Sequence, residues 1–291
     1  MQEVKKAVFP VAGMGTRFLP ATKANPKEML PVVDKPLIQY AAEEAVSAGI
    51  EVLVFIYGRH KRAIGDHFDK AYELEKELEE KGKTKMLEIA RNILPAGIDC
   101  VYIRQSEALG LGHAVHCAKP VIGDEPFAVI LADDLVNTKS GPSCLKQMVD
   151  AYNYNHSSII GVETVPEENI SRYGVVSGVE IKDGLIEMNG IVEKPAVKDA
   201  PSDLGVVGRY ILTPSIFSHI EKLGKGAGGE IQLTDAIATM MKEERVLAYK
   251  FKGKRFDAGS KLGYLQATVE YALEHPELKK EFRAYLKTLK V

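Results

Sequence analysis

Cysteine is scarce in this sequence, with three residues among 291. Cys100, Cys117 and Cys144 are widely spaced, odd in number and match no metal-ligand pattern. Each is therefore predicted to be a small buried apolar residue rather than a disulfide partner or a nucleophile. Redox chemistry is not indicated.

The sequence also has no large net charge, because its 38 Lys and Arg residues nearly balance its 40 Asp and Glu residues. The composition therefore favours neither nucleic acid nor a membrane surface as a partner. No apolar run approaches the roughly 20 residues that span a bilayer, and the first residues lack a signal-peptide pattern. We expect a cytoplasmic protein whose anionic ligands are met by local cations.

The order of apolar segments predicts an α/β fold. Strands are expected at 7–12, 50–57, 100–103 and 127–132, with helices at 36–47 and 112–118. Because these strands are wholly apolar and alternate with helices, they indicate a parallel sheet covered on both faces. The charge-rich segment 59–94 is predicted to form surface helices that break near 81–84.

The second half of the chain is richer in strand patterns. Strands are predicted at 158–165, 174–181, 185–192, 205–212 and 245–251, with a hairpin turn at Asp183-Gly184. Helices are predicted at 231–242, 262–273 and 276–289. The whole pattern predicts a Rossmann-like, mixed but mostly parallel central sheet flanked by helices.

A glycine-containing loop follows the first strand. It lacks the third glycine of a dinucleotide-binding turn and the Gly-Lys-Ser/Thr ending of a P-loop. What remains are the backbone amides of Gly13 and Gly15, the guanidinium of Arg17 and the ammonium of Lys27, which together suit a polyphosphate. The alternative is a glycine turn followed by solvated lysines.

Polar groups also follow two other strands of the predicted sheet. Gln105 and Gly110 come after the third strand, and Asp133 and Asp134 after the fourth. In open α/β sheets these strand ends meet at one crevice. The Gln105 amide can donate and accept, which suits the imide edge of uracil or thymine, and Gly110 would let a base lie against backbone. The aspartates are candidate Mg²⁺ ligands, with turn or capping residues as the alternative.

Eight motifs taken together resemble a known family. They occur in the order and approximate spacing of bacterial UTP–glucose-1-phosphate uridylyltransferases, within the sugar nucleotidyltransferases of glycosyltransferase-A-like fold: GMGTRFLPATKANPKEMLPVVDKPLIQY, RQSEALGLGHAV, VILADD, YGVV, VEKP, LGVVGRY, GEIQLTDAI and FDAG. The resemblance implies that UTP and glucose 1-phosphate give UDP-glucose and pyrophosphate, with Mg²⁺ as cofactor. It covers nearly the whole chain.

The same resemblance implies roles for individual residues. The uracil and ribose end would be held by Ala12, Gly13, Glu28, Gln105 and Gly110, and the phosphates by Gly15, Arg17 and Lys27. The sugar pocket would use Gly174, Glu193, Val206 and Gly208, with Lys194 neutralising the sugar phosphate. The metal would be held by Asp133 and Asp257, with Asp134 as a substitute for Asp133, while Lys23 is either functional or only solvated.

The implied chemistry is direct displacement. A sugar phosphate is already an anionic nucleophile, so an ordered ternary reaction needs no Ser, Cys or His nucleophile. One alternative is a thymidylyltransferase, although such enzymes usually carry Gln at the position of Glu28 and lack Lys23. Another is a non-catalytic nucleotide-sugar-binding module, which would not need both Asp133 and Asp257.

The domain organisation follows from these assignments. We expect a single nucleotidyltransferase domain over residues 1–291. Its nucleotide-binding half would span about 1–135, its sugar-phosphate-binding half about 136–260, and a helical extension about 261–291. The resemblance also implies a homodimer or homotetramer, with the C-terminal helices as the candidate interface.

Overall fold

The computed structural model describes residues 2–226 and 229–289. Its strands are β1 (Lys6–Val11), β2 (Pro31–Val32), β3 (Lys35–Pro36), β4 (Val52–Tyr57), β5 (Asp99–Arg104), β6 (Phe127–Ile130), β7 (Asp134–Asn137), β8 (Ser158–Thr164), β9 (Gly174–Lys182), β10 (Leu185–Glu193), β11 (Leu204–Leu212), β12 (Val246–Lys250) and β13 (Lys254–Asp257). Its α-helices are α1 (Leu37–Ser47), α2 (Arg62–Phe68), α3 (Tyr72–Glu80), α4 (Thr84–Arg91), α5 (Leu111–His116), α6 (Lys119–Ile122), α7 (Cys144–Asn155), α8 (Ile216–Lys222), α9 (Leu233–Met240), α10 (Lys261–Glu274) and α11 (Lys279–Leu286). No described helix is long and apolar enough to cross a bilayer.

Nine strands form one sheet in the order β5-β4-β1-β6-β11-β8-β12-β10-β9. The first four strands in that order are parallel to one another. β11 is antiparallel to both β6 and β8, and it therefore joins the two halves of the chain. β12 is parallel to β8, whereas the β9–β10 and β10–β12 pairs are antiparallel. The predicted mixed α/β sheet is confirmed, and its parallel pairing is concentrated in the first half.

The strands of the first half are apolar because both faces of the sheet are covered. Along β4, Leu53 and Phe55 point into one hydrophobic cluster, which α1 and α7 cover, and Val54 and Ile56 point into a second cluster, which α5, α8 and α9 cover. Side chains alternate between the faces of a strand, so a strand buried on both sides is apolar at every position.

A small second sheet was not predicted from the sequence. β7 and β13 pair antiparallel, with Asp134 opposite Asp257. The predicted strand 127–132 instead ends at Ile130, and the Leu131 N–H donates to the carbonyl of Gly208 at 2.9 Å. The chain then turns into β7, which brings the Asp133 loop beside the end of β13.

Candidate active site

Two cavities lie at the ends of the sheet strands. The first, which we call the glycine-loop cavity, has a volume of about 320 Å³ and is lined by segments that follow β1, β4 and β5, including Ala12, Gly13, Lys23, Gly58, Lys61 and Gln105. The second, the aspartate cavity, has a volume of about 460 Å³ and is lined by Arg17, Asp133, Asp134, Arg172, Gly174, Glu193, Lys194, Val206, Gly208, Thr234 and Asp257, among others.

Gln105 is buried at the wall of the glycine-loop cavity, and its amide nitrogen is already bonded. Nε2 donates to the Gly110 carbonyl at 3.3 Å and to Nδ1 of His113 at 2.9 Å. The sequence predicted an amide that both donates to and accepts from a base. In this arrangement the donor end is engaged by protein groups, so the side chain offers a ligand its acceptor oxygen.

Gly110 packs closely against Glu230 and Ile231 and does not face open space. Its φ is 103°, and a Cβ there would come within 2.8 Å of the Glu230 Cβ and of the Ile231 carbonyl oxygen. The neighbouring Gly112 N–H donates to that same carbonyl at 2.9 Å. Glycine at 110 is therefore required to pack this loop against residues 230–231, and its predicted contact with a base stays a prediction.

Glu28 forms a buried ion pair with Lys61. The Lys61 Nζ lies 2.6 Å from Glu28 Oε2, and the two side chains are 8% and 2% exposed. Burial raises the pKa of Glu28, although Lys61 and Lys27 oppose that rise. Lys61 was not singled out in the sequence, because it lies in a charge-rich segment that predicts a solvated surface.

Lys27 forms an ion pair with Asp133, which lines the aspartate cavity. The Lys27 Nζ donates to Asp133 Oδ2 at 2.6 Å. Burial lowers the pKa of Lys27, but Asp133 and Glu28 raise it more, so the net shift is upward. Burial raises the pKa of Asp133, but Lys27 lowers it more, so the net shift is below the usual value. Both shifts favour the charged forms, which keeps a cation and a carboxylate side by side.

Asp133 and Asp257 face one small space. Asp133 Oδ2 and Asp257 Oδ1 lie 2.8 and 3.0 Å from the position that a Cβ would take on Gly259. Asp257 Oδ1 also accepts the Gly259 N–H at 3.1 Å, and its Oδ2 accepts from Arg172 Nη2 at 3.2 Å. Arg172 was missed in the sequence, since an arginine in a charged turn gives no local signal.

These two carboxylates fit a magnesium ion better than a structural metal. Among the described residues, no group of three or more His, Cys, Asp or Glu side chains could enclose an ion. Mg²⁺ prefers hard oxygen donors and is commonly held by one or two carboxylates together with substrate phosphates and water. A pair of aspartates facing one space matches that donor set.

Asp134 differs from Asp133 because protein groups occupy both of its oxygens. Oδ1 accepts from Nε of Arg255 at 2.7 Å, and Oδ2 accepts the Gly208 N–H at 2.8 Å. The fully buried Arg209 donates to the carbonyls of Leu131 and Asp134, at 3.1 and 2.7 Å. The doublet is therefore divided, with Asp134 anchoring the loop and Asp133 facing the cavity.

The other side of the aspartate cavity holds Glu193 and Lys194. Glu193 Oε2 accepts from Thr234 Oγ1 at 2.7 Å, and its Oε1 lies 3.2 Å from the Lys194 Nζ. A Cβ on Gly174 would lie 3.3 Å from Glu193 Oε2, so glycine leaves room beside this carboxylate. Lys194 itself has a φ of 45°, a left-handed conformation that is uncommon outside glycine.

The remaining predicted residues fall into place around these groups. Arg17, Val206 and Gly208 line the aspartate cavity, and Ala12 and Gly13 line the glycine-loop cavity. Gly15 packs against Lys27. Its φ is 66°, and a Cβ on it would lie only 3.2 Å from the Lys27 Cβ. The structure thus places Arg17, Asp133 and Asp257 at the aspartate cavity, with Lys27 bonded to Asp133.

An α/β sheet with a glycine loop and paired carboxylates at its strand ends is the arrangement that the sequence predicted for a nucleotidyltransferase. The sequence profile described as Nucleotidyl transferase matches residues 6–274, and the chain belongs to this family. It is similar to the UTP–glucose-1-phosphate uridylyltransferase of Bacillus subtilis strain 168, with 52% identity over 289 residues that cover 99% of this chain and 98% of the relative.

Solved structures agree with this family. The UTP-bound UGPase from Acinetobacter baumannii aligns with a TM-score of 0.93 and 47% identity, over 99% of this chain and 100% of that one. A UDP-glucose pyrophosphorylase complexed with UDP-glucose aligns with a TM-score of 0.86 and 48% identity, over 94% and 100% of the two chains. The resemblance stated from the motifs and the predicted fold class are both confirmed.

Proposed function

We propose that this chain is an enzyme that makes UDP-glucose and pyrophosphate from UTP and α-D-glucose 1-phosphate. The observation that carries the proposal is the pair of Asp133 and Asp257 facing one space. Lys27 is bonded to Asp133, and Glu193 and Lys194 line the same cavity as the two aspartates. The relatives named for the same reaction, at about half identity over nearly the full chain, support it.

In this reaction an oxygen of the sugar phosphate attacks the α-phosphorus of UTP, and the bond to the departing pyrophosphate breaks. Lys27 and Lys194 offset the repulsion between the two anions, and the positive charge of Arg17 stabilises the negative charge on the leaving phosphates. Glu193 accepts hydrogen bonds from sugar hydroxyls, and the backbone near Val206 and Gly208 borders the sugar. The lysines and arginine act by position and charge, so no covalent intermediate is required.

Mg²⁺ is the cofactor we propose, held by Asp133 and Asp257. When bound, it would neutralise phosphate charge and orient the reacting groups. Asp134 is not a ligand in this proposal, because its carboxylate is buried against the equally buried Arg255 and the Gly208 N–H, whereas Asp257 and its partner Arg172 are more exposed. Lys27 and Arg172 pair with the two proposed ligands and add positive charge beside the proposed metal position.

A pyrophosphate-release assay with glucose 1-phosphate tests the function directly. The purified chain is given UTP, dTTP, CTP, ATP or GTP with Mg²⁺, and we expect the highest kcat/KM with UTP. A higher value with dTTP would make the chain a thymidylyltransferase. Nucleotide binding without pyrophosphate release from any of them would make it a binding module.

Assembly and location belong to the same proposal. We expect a homo-oligomer whose interface includes α10, because Leu262, Leu265 and Val269 are exposed at helical spacing along it. Light scattering measures the assembly, and substituting Leu262 and Leu265 by Glu should reduce it. A cytoplasmic location, a reaction without nucleic acid or membrane, and a single domain over 1–291 complete the proposal.

A further inference from the structure

Two acceptors set the orientation of the Gln105 amide: the carbonyl of Gly110, just before α5, and Nδ1 of His113, within α5. The Gly110 oxygen, 3.3 Å from Nε2, is a carbonyl and only accepts, so the amide nitrogen belongs at that end. The second amide hydrogen goes to Nδ1 of His113 at 2.9 Å. Within the described residues, Gln105 Oε1 has no hydrogen-bond partner, and Gln105 lines the glycine-loop cavity.

His113 must be neutral, with its proton on Nε2, to accept from Gln105. A proton on Nδ1 would turn this nitrogen into a donor facing another donor. Burial lowers the pKa of His113, and the neighbouring His116 lowers it further, while Glu107 raises it. The net direction favours the neutral ring, and the amide donor of Gln105 beside Nδ1 favours the tautomer with its proton on Nε2.

We propose that His113 is a positioning residue that sets the base specificity of the site through Gln105. By holding Nε2 away from the ligand, it leaves Oε1 as the group that meets the base, and an acceptor there fits the N3–H donor of uracil. Cytosine carries an unprotonated acceptor at N3 and is rejected, because two acceptors would face each other. This inference rests on the proposed function, in which UTP is the nucleotide.

Thymine provides an internal comparison, since it carries the same N3–H donor as uracil. His113 should therefore separate uracil from cytosine and have no effect on the choice between uracil and thymine. If His113 merely supported the fold, its substitution would weaken the binding of all three nucleotides, UTP, CTP and dTTP, by a similar factor. The ratio of specificities, rather than the activity itself, is the diagnostic readout.

The variants are chosen to change one acceptor. His113→Leu removes it, whereas His113→Asn keeps an acceptor because Asn Oδ1 stands close to where the histidine Nδ1 lies. His116→Leu is the matched control, since His116 lies on the same helix, α5, but its ring bonds Glu221 at 3.0 Å and not Gln105. For each protein, kcat/KM for UTP, CTP and dTTP is measured by pyrophosphate release, and the Kd of each nucleotide by calorimetry without sugar phosphate.

We expect His113→Leu to lower the UTP to CTP ratio by on the order of tenfold or more, because an unpaired amide is then free to turn its donor to the base. The UTP to dTTP ratio should stay unchanged, and His113→Asn and His116→Leu should keep both ratios. An unchanged UTP to CTP ratio in His113→Leu, or an equal loss for all three nucleotides, overturns the proposal.

A measurement on the unaltered protein covers the case in which His113→Leu does not fold. Nitrogen NMR of the histidine rings reports which nitrogen carries the proton, and a proton on Nδ1 of His113 at neutral pH overturns the proposal. The calorimetric arm separates this inference from the proposed function. Absence of turnover with UTP refutes the function, while the Kd ratio for UTP and CTP still tests His113.

Discussion

Asp133 and Asp257 come from different elements, and nothing local requires both to be carboxylates. Each is neighboured by a cation, Lys27 or Arg172, which would serve a simple ion pair equally well. If the two bind one catalytic ion, Asp257→Asn should lower kcat by on the order of a hundredfold, since one preorganised electrostatic contact contributes a few kcal/mol. KM should change far less.

The double variant distinguishes a shared ion from two separate roles. Asp133→Asn combined with Asp257→Asn should be scarcely worse than the poorer single variant, because residues that act as one unit are non-additive. Steady-state kinetics across a Mg²⁺ titration measures this. Losses that multiply, or a single variant with full kcat at ordinary Mg²⁺, would show that the aspartates do not share an ion.

The Glu28–Lys61 pair gives a prediction about stability. Lys61→Met leaves a buried carboxylate without its partner and should cost about 3 to 5 kcal/mol in the free energy of unfolding, whereas adding Glu28→Gln should recover most of it. Burial already raises the pKa of Glu28, and loss of Lys61 raises it further. A carboxyl whose folded pKa is raised stabilises the fold below its unfolded pKa and loses that contribution as pH rises through the folded pKa.

The destabilisation by Lys61→Met should therefore be larger at about pH 8 than at about pH 5. Urea unfolding of the two single variants, the double variant and the unaltered protein at both pH values provides the measurement. Lys6→Met is a useful comparison, because its partner Glu125 is 38% exposed. Equal losses at both pH values would contradict a buried ionised Glu28.

At the scale of elements, β11 and the loop after β6 fit together without room for a side chain at Gly208. A Cβ there would lie 2.6 Å from the Leu131 Cβ and 2.8 Å from Asp134 Oδ2. Gly208→Ala should push the Asp133–Asp134 loop away and cost roughly 1 to 3 kcal/mol of stability. It should also lower kcat/KM, as both predicted sugar and metal residues border this contact.

Gly224→Ala is the matched control, because Gly224 is exposed and a Cβ there would meet nothing within 4 Å. Thermal unfolding and pyrophosphate-release kinetics on both variants provide the comparison. Normal stability and kinetics in Gly208→Ala would mean that the loop yields without consequence, and that its close packing does not position the site.

The elements also show what the sequence could and could not predict. β1, β4 and β5 were predicted to within about two residues, since each contains a run of apolar residues, which in β1 and β4 is buried on both faces of the sheet. β7 and β13 were not, because each has only four residues and polar or charged residues at both ends. Among site residues, the resemblance supplied Glu193 and Lys194. Thr234, which donates to Glu193, and Arg172, which donates to Asp257, depend on contacts between distant segments, which no local pattern encodes.

At the scale of the whole molecule, the two halves share one sheet. β11, from the second half, pairs with β6 on one side and β8 on the other. Arg209 of β11 is fully buried and donates from Nη2 to Glu44 Oε2 of α1 at 2.7 Å. Removing the second half would therefore expose an apolar strand edge and leave Glu44, whose side chain is 9% exposed in the intact chain, without its cation.

This arrangement predicts that the proposed single domain does not divide near residue 135. A fragment of residues 1–135 should show no cooperative thermal transition and little dispersion in its NMR spectrum, and adding residues 136–291 should restore both. The intact chain should unfold in one transition whose calorimetric and van't Hoff enthalpies agree. Two separated transitions, or a fragment that folds alone, would mean that the halves are independent and that β11 only docks on a completed sheet.

The Arg209→Met variant of the intact chain separates these alternatives further. If β11 is part of one folding unit, losing the buried cation should lower the single transition as a whole, because Glu44 and the carbonyls of the Asp133 loop lose their shared donor together.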